Sequence, residues 1–307
     1  MKSPSRRSFL ATAGSLAAGS LIPSPADAAP DEGWIDAHVH VWTPDTERYP
    51  LAKGRTKEEM QPPSFTPEEL LAHAKPVGVS RIVLIQMSFY KYDNSYMLDT
   101  MAAHPGIFGG VAVIDDEGPD VMRTMKSLLA RGVRGFRLNT GADHAASWAG
   151  SEGIKTMWKT GAETGQAMCC LANPEALPAI GAMCRAFPET PVVIDHFARI
   201  GAKGTIDETD LENLLRLAEH PTVYVKTSAF YALGKKAAPY EDLAPMIRRL
   251  RDAYGAGRLM WATDCPYQVQ KGHTYAESIA LVRDRLDFLS AEDKASMLRG
   301  TAEKVFY

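Results

Sequence analysis

Past residue 33 the chain alternates short apolar runs with stretches of helical period. The runs are residues 34–40, 81–86, 107–114, 132–139, 166–171, 191–196, 222–229 and 258–264, and amphipathic stretches such as 119–130, 174–187 and 210–220 lie between them. Continuous apolar runs bounded by turn residues read as strands covered on both faces, which is the habit of a parallel sheet. Eight such units joined by right-handed crossovers predict closure into a single (β/α)8 TIM barrel of the α/β class. The alternative is an open, doubly wound sheet. No GxGxxG follows the first run and no GxxxxGK[ST] occurs anywhere, so a nucleotide-binding sheet has little support. Thr66 before PEELL predicts a helix start with proline at the first helical position and Glu69 completing a capping box. Residues 41–65 are polar and proline-rich, and predict an extended loop able to cover one mouth of the barrel.

The first run breaks the apolar pattern. It reads WIDAHVHVW, and a period of two predicts Asp36, His38 and His40 on one face with Ile35, Ala37, Val39 and Val41 on the other. Desolvating three polar groups on one face costs several kcal/mol unless something binds them. In barrels of this kind chemistry sits at the carboxyl ends of the strands. That is where the other runs turn polar: Gln86, Arg137 and Asn139, Asp195-His196, Lys226, and Asp264. Each alone has a structural explanation, His196 as a hydrogen-bonded core histidine, Asp264 as a cap, Lys226 as an ion-pair partner. The Asp-x-His-x-His run has a weaker one. His73, His104, His144, His220 and His273 fall in helices or loops and read as solvated.

Composition narrows the class. The chain has 307 residues, 45% apolar and 23% charged, with a net charge of −3, an ordinary globular balance. No Lys/Arg stripe with interleaved aromatics occurs, which argues against nucleic acid as a partner. Cys169, Cys170, Cys184 and Cys265 have neither disulfide-framework nor zinc-ribbon spacing and are expected as buried thiols. Arg6-Arg7 precedes SFLATAGSLAAGSLIP, with Ala26 and Ala28 in a small-x-small pattern. The segment resembles a twin-arginine export signal, too short to span a bilayer, which takes about 20 residues. Residues 1–28 are therefore expected to be a signal and 29–307 an exported barrel, periplasmic or extracellular, with no other membrane association.

WIDAHVHVW, VVIDHFARIG, MWATDCPY and the terminal RGTAEKVFY together resemble the amidohydrolase superfamily, over roughly residues 34–307. The likeness is to its amidohydrolase-related branch, which includes 2-pyrone-4,6-dicarboxylate lactonase and the sugar lactonases. The resemblance implies that His38, His40 and Asp264 grip one divalent, zinc-like metal whose bound water is the nucleophile, with Asp264 moving the proton. This chain departs from the metal-binding pattern. Its fifth run has no histidine, and its fourth has neither lysine nor glutamate at its end. Three ligands remain, with His196 or Cys170 as a fourth, and the branch includes members that work without metal. Metal and metal-free readings both stay open.

The resemblance implies water attack on a lactone, with Asp264, His196, His38 and His40 as the catalytic set. Arg137, Arg199, Lys226 and Tyr267 are expected to face the same mouth, Tyr90 and Trp42 to add apolar wall. Arginine pairs with carboxylates through two parallel hydrogen bonds, so a small carboxylated substrate is expected. A metal-dependent decarboxylase or amidohydrolase on the same barrel is one rival. A barrel that binds ligand without turning it over is another, against which the proton-carrying Asp264 speaks.

Overall fold

The computed structural model describes Met1 and residues 33–307, the side chain of Asn139 excepted; the expected signal, residues 1–28, lies outside them apart from Met1. Among the described residues eight parallel strands run in sequence order: β1 (Trp34–Val39), β2 (Val79–Ile85), β3 (Phe108–Ala112), β4 (Val133–Thr140), β5 (Ala167–Ala172), β6 (Val192–Ile194), β7 (Val223–Thr227) and β8 (Leu259–Trp261). Helices fill the connections, among them Pro67–Ala74, Val121–Ala130, Leu177–Ala186 and Ala244–Tyr254. The first begins as its sequence predicts: Glu69 N–H donates to Thr66 Oγ1 and the Glu69 carboxylate accepts from Thr66 N–H.

Alternate strand residues divide between two cores. Ile82, Leu84, Met168, Val192 and Val225 pack outward under the helices. Val83, Ile85, Val111, Cys169, Val193 and Met260 fill the barrel interior, whose far end is plugged by Val305 and Phe306 of the C-terminal helix Thr301–Phe306. The four cysteines are buried and unpaired thiols.

The barrel closes between β8 and β1 over a short seam. Asp264 N–H donates to His38 O at 2.9 Å, and His40 N–H donates to Cys265 O at 2.8 Å. Beside it Asp36 accepts from Thr263 N–H (3.0 Å), Thr263 Oγ1 (2.5 Å) and Tyr275 Oη (2.6 Å).

Strict alternation fails in β1. The β1–β2 register slips between Asp36 and Val39, and an extra residue in a strand reverses the facing of the residues after it. Ile35 and Ala37 therefore point into the barrel while Asp36 points away towards Tyr275. His38 and His40 point into the barrel mouth. The expectation that Asp36 shares a face with the two histidines is thus corrected: it braces the seam from behind. Residues 41–65 form the expected loop, pinned by paired backbone bonds between Trp42 and Phe65 and by Trp42 Nε1–H donating to Pro62 O at 2.8 Å.

Candidate active site

At the carboxyl ends of the strands lies a cavity of about 780 Å³, lined among others by His40, Arg137, His196, Arg199, Asp264 and Tyr267. Asp264 Oδ1 is its focus. It lies 3.2 Å from His40 Nε2, 3.6 Å from His38 Nε2 and 3.7 Å from His196 Nε2. His38 Nε2 and His40 Nε2 are 3.3 Å apart. All four residues are buried.

Backbone strain helps to converge these groups. His196, Phe197, Ala198 and Arg199 form a left-handed turn directly after β6, with φ of 52°, 53°, 53° and 59°, and Asp264 has φ 67°. A left-handed conformation costs a side-chain-bearing residue about 1–2 kcal/mol, and such strain collects where the surrounding structure dictates the geometry. The turn carries His196 into the cup and, three residues on, Arg199 onto its wall.

Each imidazole has a partner that orders it. His40 Nδ1 is 2.8 Å from Ile85 O, so Nδ1 carries a hydrogen, and in the neutral ring Nε2 is then the lone pair. His196 Nδ1 meets Ser228 Oγ at 2.8 Å. His38 Nδ1 faces Lys226 Nζ at 3.1 Å and Asp195 Oδ1 at 3.4 Å. Asp264 Oδ2 accepts from Tyr231 Oη at 2.7 Å.

Burial and charge set the protonation states. Burial works against a charge on Asp264, but His196, His40 and His38 outweigh it and hold the carboxyl well below its usual range. Burial pushes His196 down to about 4, against the pull of Asp264 and Asp195. Burial and then the Lys226 charge push His38 well below the ordinary imidazole range. Tyr267 is pushed up to about 12, mainly by burial. The cup therefore presents an ionised Asp264 carboxylate beside the neutral imidazoles of His38 and His196.

The donor chemistry suits a divalent cation. His40 commits its proton to Ile85, so its Nε2 lone pair faces an ionised carboxylate oxygen at 3.2 Å; two electron-pair donors face to face leave room for a proton or a cation. His38, His196 and Asp264 also form a set that could hold a cation, their ligand atoms within 4.8 Å of one another. Sequence reasoning had placed His40 in this set and left His196 as a weak fourth; the geometry promotes His196.

Lys226 is a correction. It was expected at the mouth as a substrate contact, but it is fully buried inside the barrel, 3.0 Å from Asp195 Oδ1 and beneath His38. Its long stem points inward because β7 aims residues 224 and 226 at the interior. Trp42 and Tyr90, expected as walls, are buried behind the cavity. Arg137 does reach it, with a buried Nε that has no hydrogen-bond partner among the described residues. Arg199 also reaches it, donating to Asn173 Oδ1 at 3.2 Å. Sequence reasoning missed Tyr231, which falls just past the polar end of the seventh run; His144 is exposed, as expected, and lines the cavity. It also missed Lys91 and Arg55, further cations on the cavity wall.

The amidohydrolase family profile matches residues 35–307. The chain is 28% identical to an L-fucono-1,5-lactonase of Burkholderia ambifaria over 286 residues, covering 87% of this chain and 93% of the relative. It is 27% identical to a 4-sulfomuconolactone hydrolase of Rhizobium radiobacter over 240 residues, covering 78% and 77%. Among solved structures, a Pseudomonas putida protein described as a 2-pyrone-4,6-dicarboxylic acid hydrolase superposes with a TM-score of 0.73 at 25% identity, covering 90% of this chain and 97% of its own.

Proposed function

The chain belongs to the amidohydrolase family, and on that premise we propose that it opens lactones by water attack, acting on a small substrate that carries a carboxylate. The observation that carries this reading is the ionised Asp264 carboxylate held 3.2–3.7 Å from three imidazole nitrogens at the floor of a cationic cavity. The two sequence relatives support it, both being named for the hydrolysis of a lactone.

In this reading Arg137 and Arg199 pair with the substrate carboxylate and set the ring over the cup. Asp264 takes a proton from water as the water oxygen adds to the lactone carbonyl carbon, a general-base step suited to a positioned carboxylate. Imidazole N–H groups stabilise the oxyanion as it forms. The ring C–O bond then breaks, and Asp264 returns the proton to the departing alkoxide oxygen, so that one water is added and a hydroxy acid leaves. Tyr231 holds the second Asp264 oxygen throughout, keeping Oδ1 turned to the centre. A zinc-like cation, if bound by His38, His40, His196 and Asp264, would supply Lewis acidity and a more acidic water.

Acid release from a panel of carboxylated lactones, neutral lactones and amides, with metal-supplemented and chelator-treated protein, tests the reading. Turnover of carboxylated lactones is expected in preference to the rest. Release of CO₂ without addition of water would replace it with the decarboxylase reading. The reading includes export: residues 1–28 act as a twin-arginine-type signal, and protein recovered outside the cytoplasm should begin near Ala29.

A further inference from the structure

Beneath the cup lies a charged pair that the reaction above does not use. Lys226 on β7 and Asp195 at the end of β6 are both fully buried, with Nζ and Oδ1 3.0 Å apart. Desolvating two ions costs several kcal/mol each, and a buried pair is weak ground for stability. Its geometry relates it to His38 instead. Lys226 Nζ is 3.1 Å from His38 Nδ1. An ammonium has hydrogens and no lone pair, so this contact is attractive only if Nδ1 is the unprotonated nitrogen of the ring. A neutral ring then carries its hydrogen on Nε2.

Asp195 contests the same nitrogen from 3.4 Å and would favour the opposite tautomer, the carboxylate–histidine arrangement that prepares a metal ligand. Two observations decide for Lys226. Its contact with Nδ1 is the shorter, 3.1 Å against 3.4 Å, and Asp195 Oδ1 is itself engaged by the same ammonium at 3.0 Å. On the far side of the ring, His38 Nε2 lies 3.3 Å from His40 Nε2, whose own hydrogen is spent on Ile85 O. A hydrogen on His38 Nε2 faces His40 Nε2 and, at 3.6 Å, the ionised Asp264 Oδ1, so this side of the ring accommodates the Nε2–H form. Contacts on opposite sides of one ring agree.

We propose that Lys226 is a positioning residue that fixes His38 in its Nε2–H form, so that the two first-strand histidines enter the cup as one donor and one acceptor, and that it thereby weakens the cup's affinity for a divalent cation. A cation at His38 needs the Nε2 lone pair, which this tautomer withholds. A donor at Nε2 is what a developing oxyanion needs. Only this last consequence rests on the hydrolytic reading; the tautomer and the cation affinity stand apart from it.

The test uses the full-length mature chain, chelator-treated, with ¹⁵N-labelled histidine. Long-range ¹H–¹⁵N ring spectra at neutral pH, assigned by loss of signals in His38→Gln and His40→Gln, should show His38 protonated at Nε2 and His40 at Nδ1. His38 protonated at Nδ1 overturns the proposal. In parallel, competition with a chromophoric chelator measures zinc affinity. Lys226→Met should bind zinc about tenfold more tightly than wild type, the scale on which outer ligands tune metal sites. Equal or weaker binding by a folded Lys226→Met overturns the proposal; should that variant not fold, the wild-type spectra decide alone. Failure to hydrolyse any lactone would sink the hydrolytic reading and leave both measurements valid.

Discussion

Asp264 gives its backbone N–H to the carbonyl of His38 at 2.9 Å, while its side chain lies 3.6 Å from the imidazole of the same residue. The bond that closes the barrel is thus made by two members of the cup. Closure and convergence of the site are one event, and a defect in the seam is felt at the chemistry.

Asp264→Asn keeps the size of the side chain and removes the base. The expected outcome is a loss in kcat of about 10²–10⁴-fold, the usual worth of general-base catalysis, with KM for a carboxylated lactone changed far less. Steady-state kinetics on the best substrate checks it. A variant with kcat near wild type would remove Asp264 from the proton transfer.

Tyr231→Phe deletes the hydrogen bond to Asp264 Oδ2 at 2.7 Å and leaves the ring in place. Hydrogen bonds to charged groups are worth about 1.5–3 kcal/mol, so kcat should fall roughly tenfold or more. The thermal midpoint should move little, because Tyr231 is only part-buried. An unchanged kcat would show that the orientation of Asp264 is held without this residue.

Arg137→Gln and Arg199→Gln should each raise KM for carboxylated lactones by about tenfold or more, given the strength of guanidinium–carboxylate pairing. KM for neutral lactones should stay level. A rise of equal size with both kinds of substrate would mean that these arginines shape the cavity rather than read the carboxylate.

Acidification should separate His196 from Asp36. His196 is pushed from 6.5 to about 4 by burial, so between those values the unfolded chain binds the proton and the folded chain does not. Wild type therefore loses stability relative to His196→Asn as pH falls from 6.5 towards 4. Asp36 is raised from 3.8 to about 6, burial outweighing its hydrogen bonds. Here the folded state binds the proton first, and wild type gains stability relative to Asp36→Asn as pH falls from about 6 to 3.8. A tenfold difference in proton affinity between the folded and unfolded chains corresponds to about 1.4 kcal/mol. Thermal midpoints of the three proteins across this range test both signs; parallel curves would refute them.

The order of strands and helices was legible along the chain. Apolar runs and helical period are local signals, and each of the predicted runs became a strand. The polar ends of those runs also announced His38, His40, His196 and Asp264, because polar groups in apolar strands need partners wherever the chain goes. The facing of Asp36 was not legible, since a slip in register depends on the neighbouring strand. Nor was the place of Lys226: a lysine at a strand end looks solvated until Asp195 and His38 are found beside it.

The sequence by itself determined that eight βα units would carry imidazoles and a carboxylate to one end of a barrel, since period and composition act over a few residues. Tertiary structure alone decided the distances of 3.2–3.7 Å around Asp264 Oδ1, the left-handed turn that aims His196 and Arg199, and the burial of Lys226 under His38. Those depend on contacts between residues far apart in the chain, made only when β8 closes against β1.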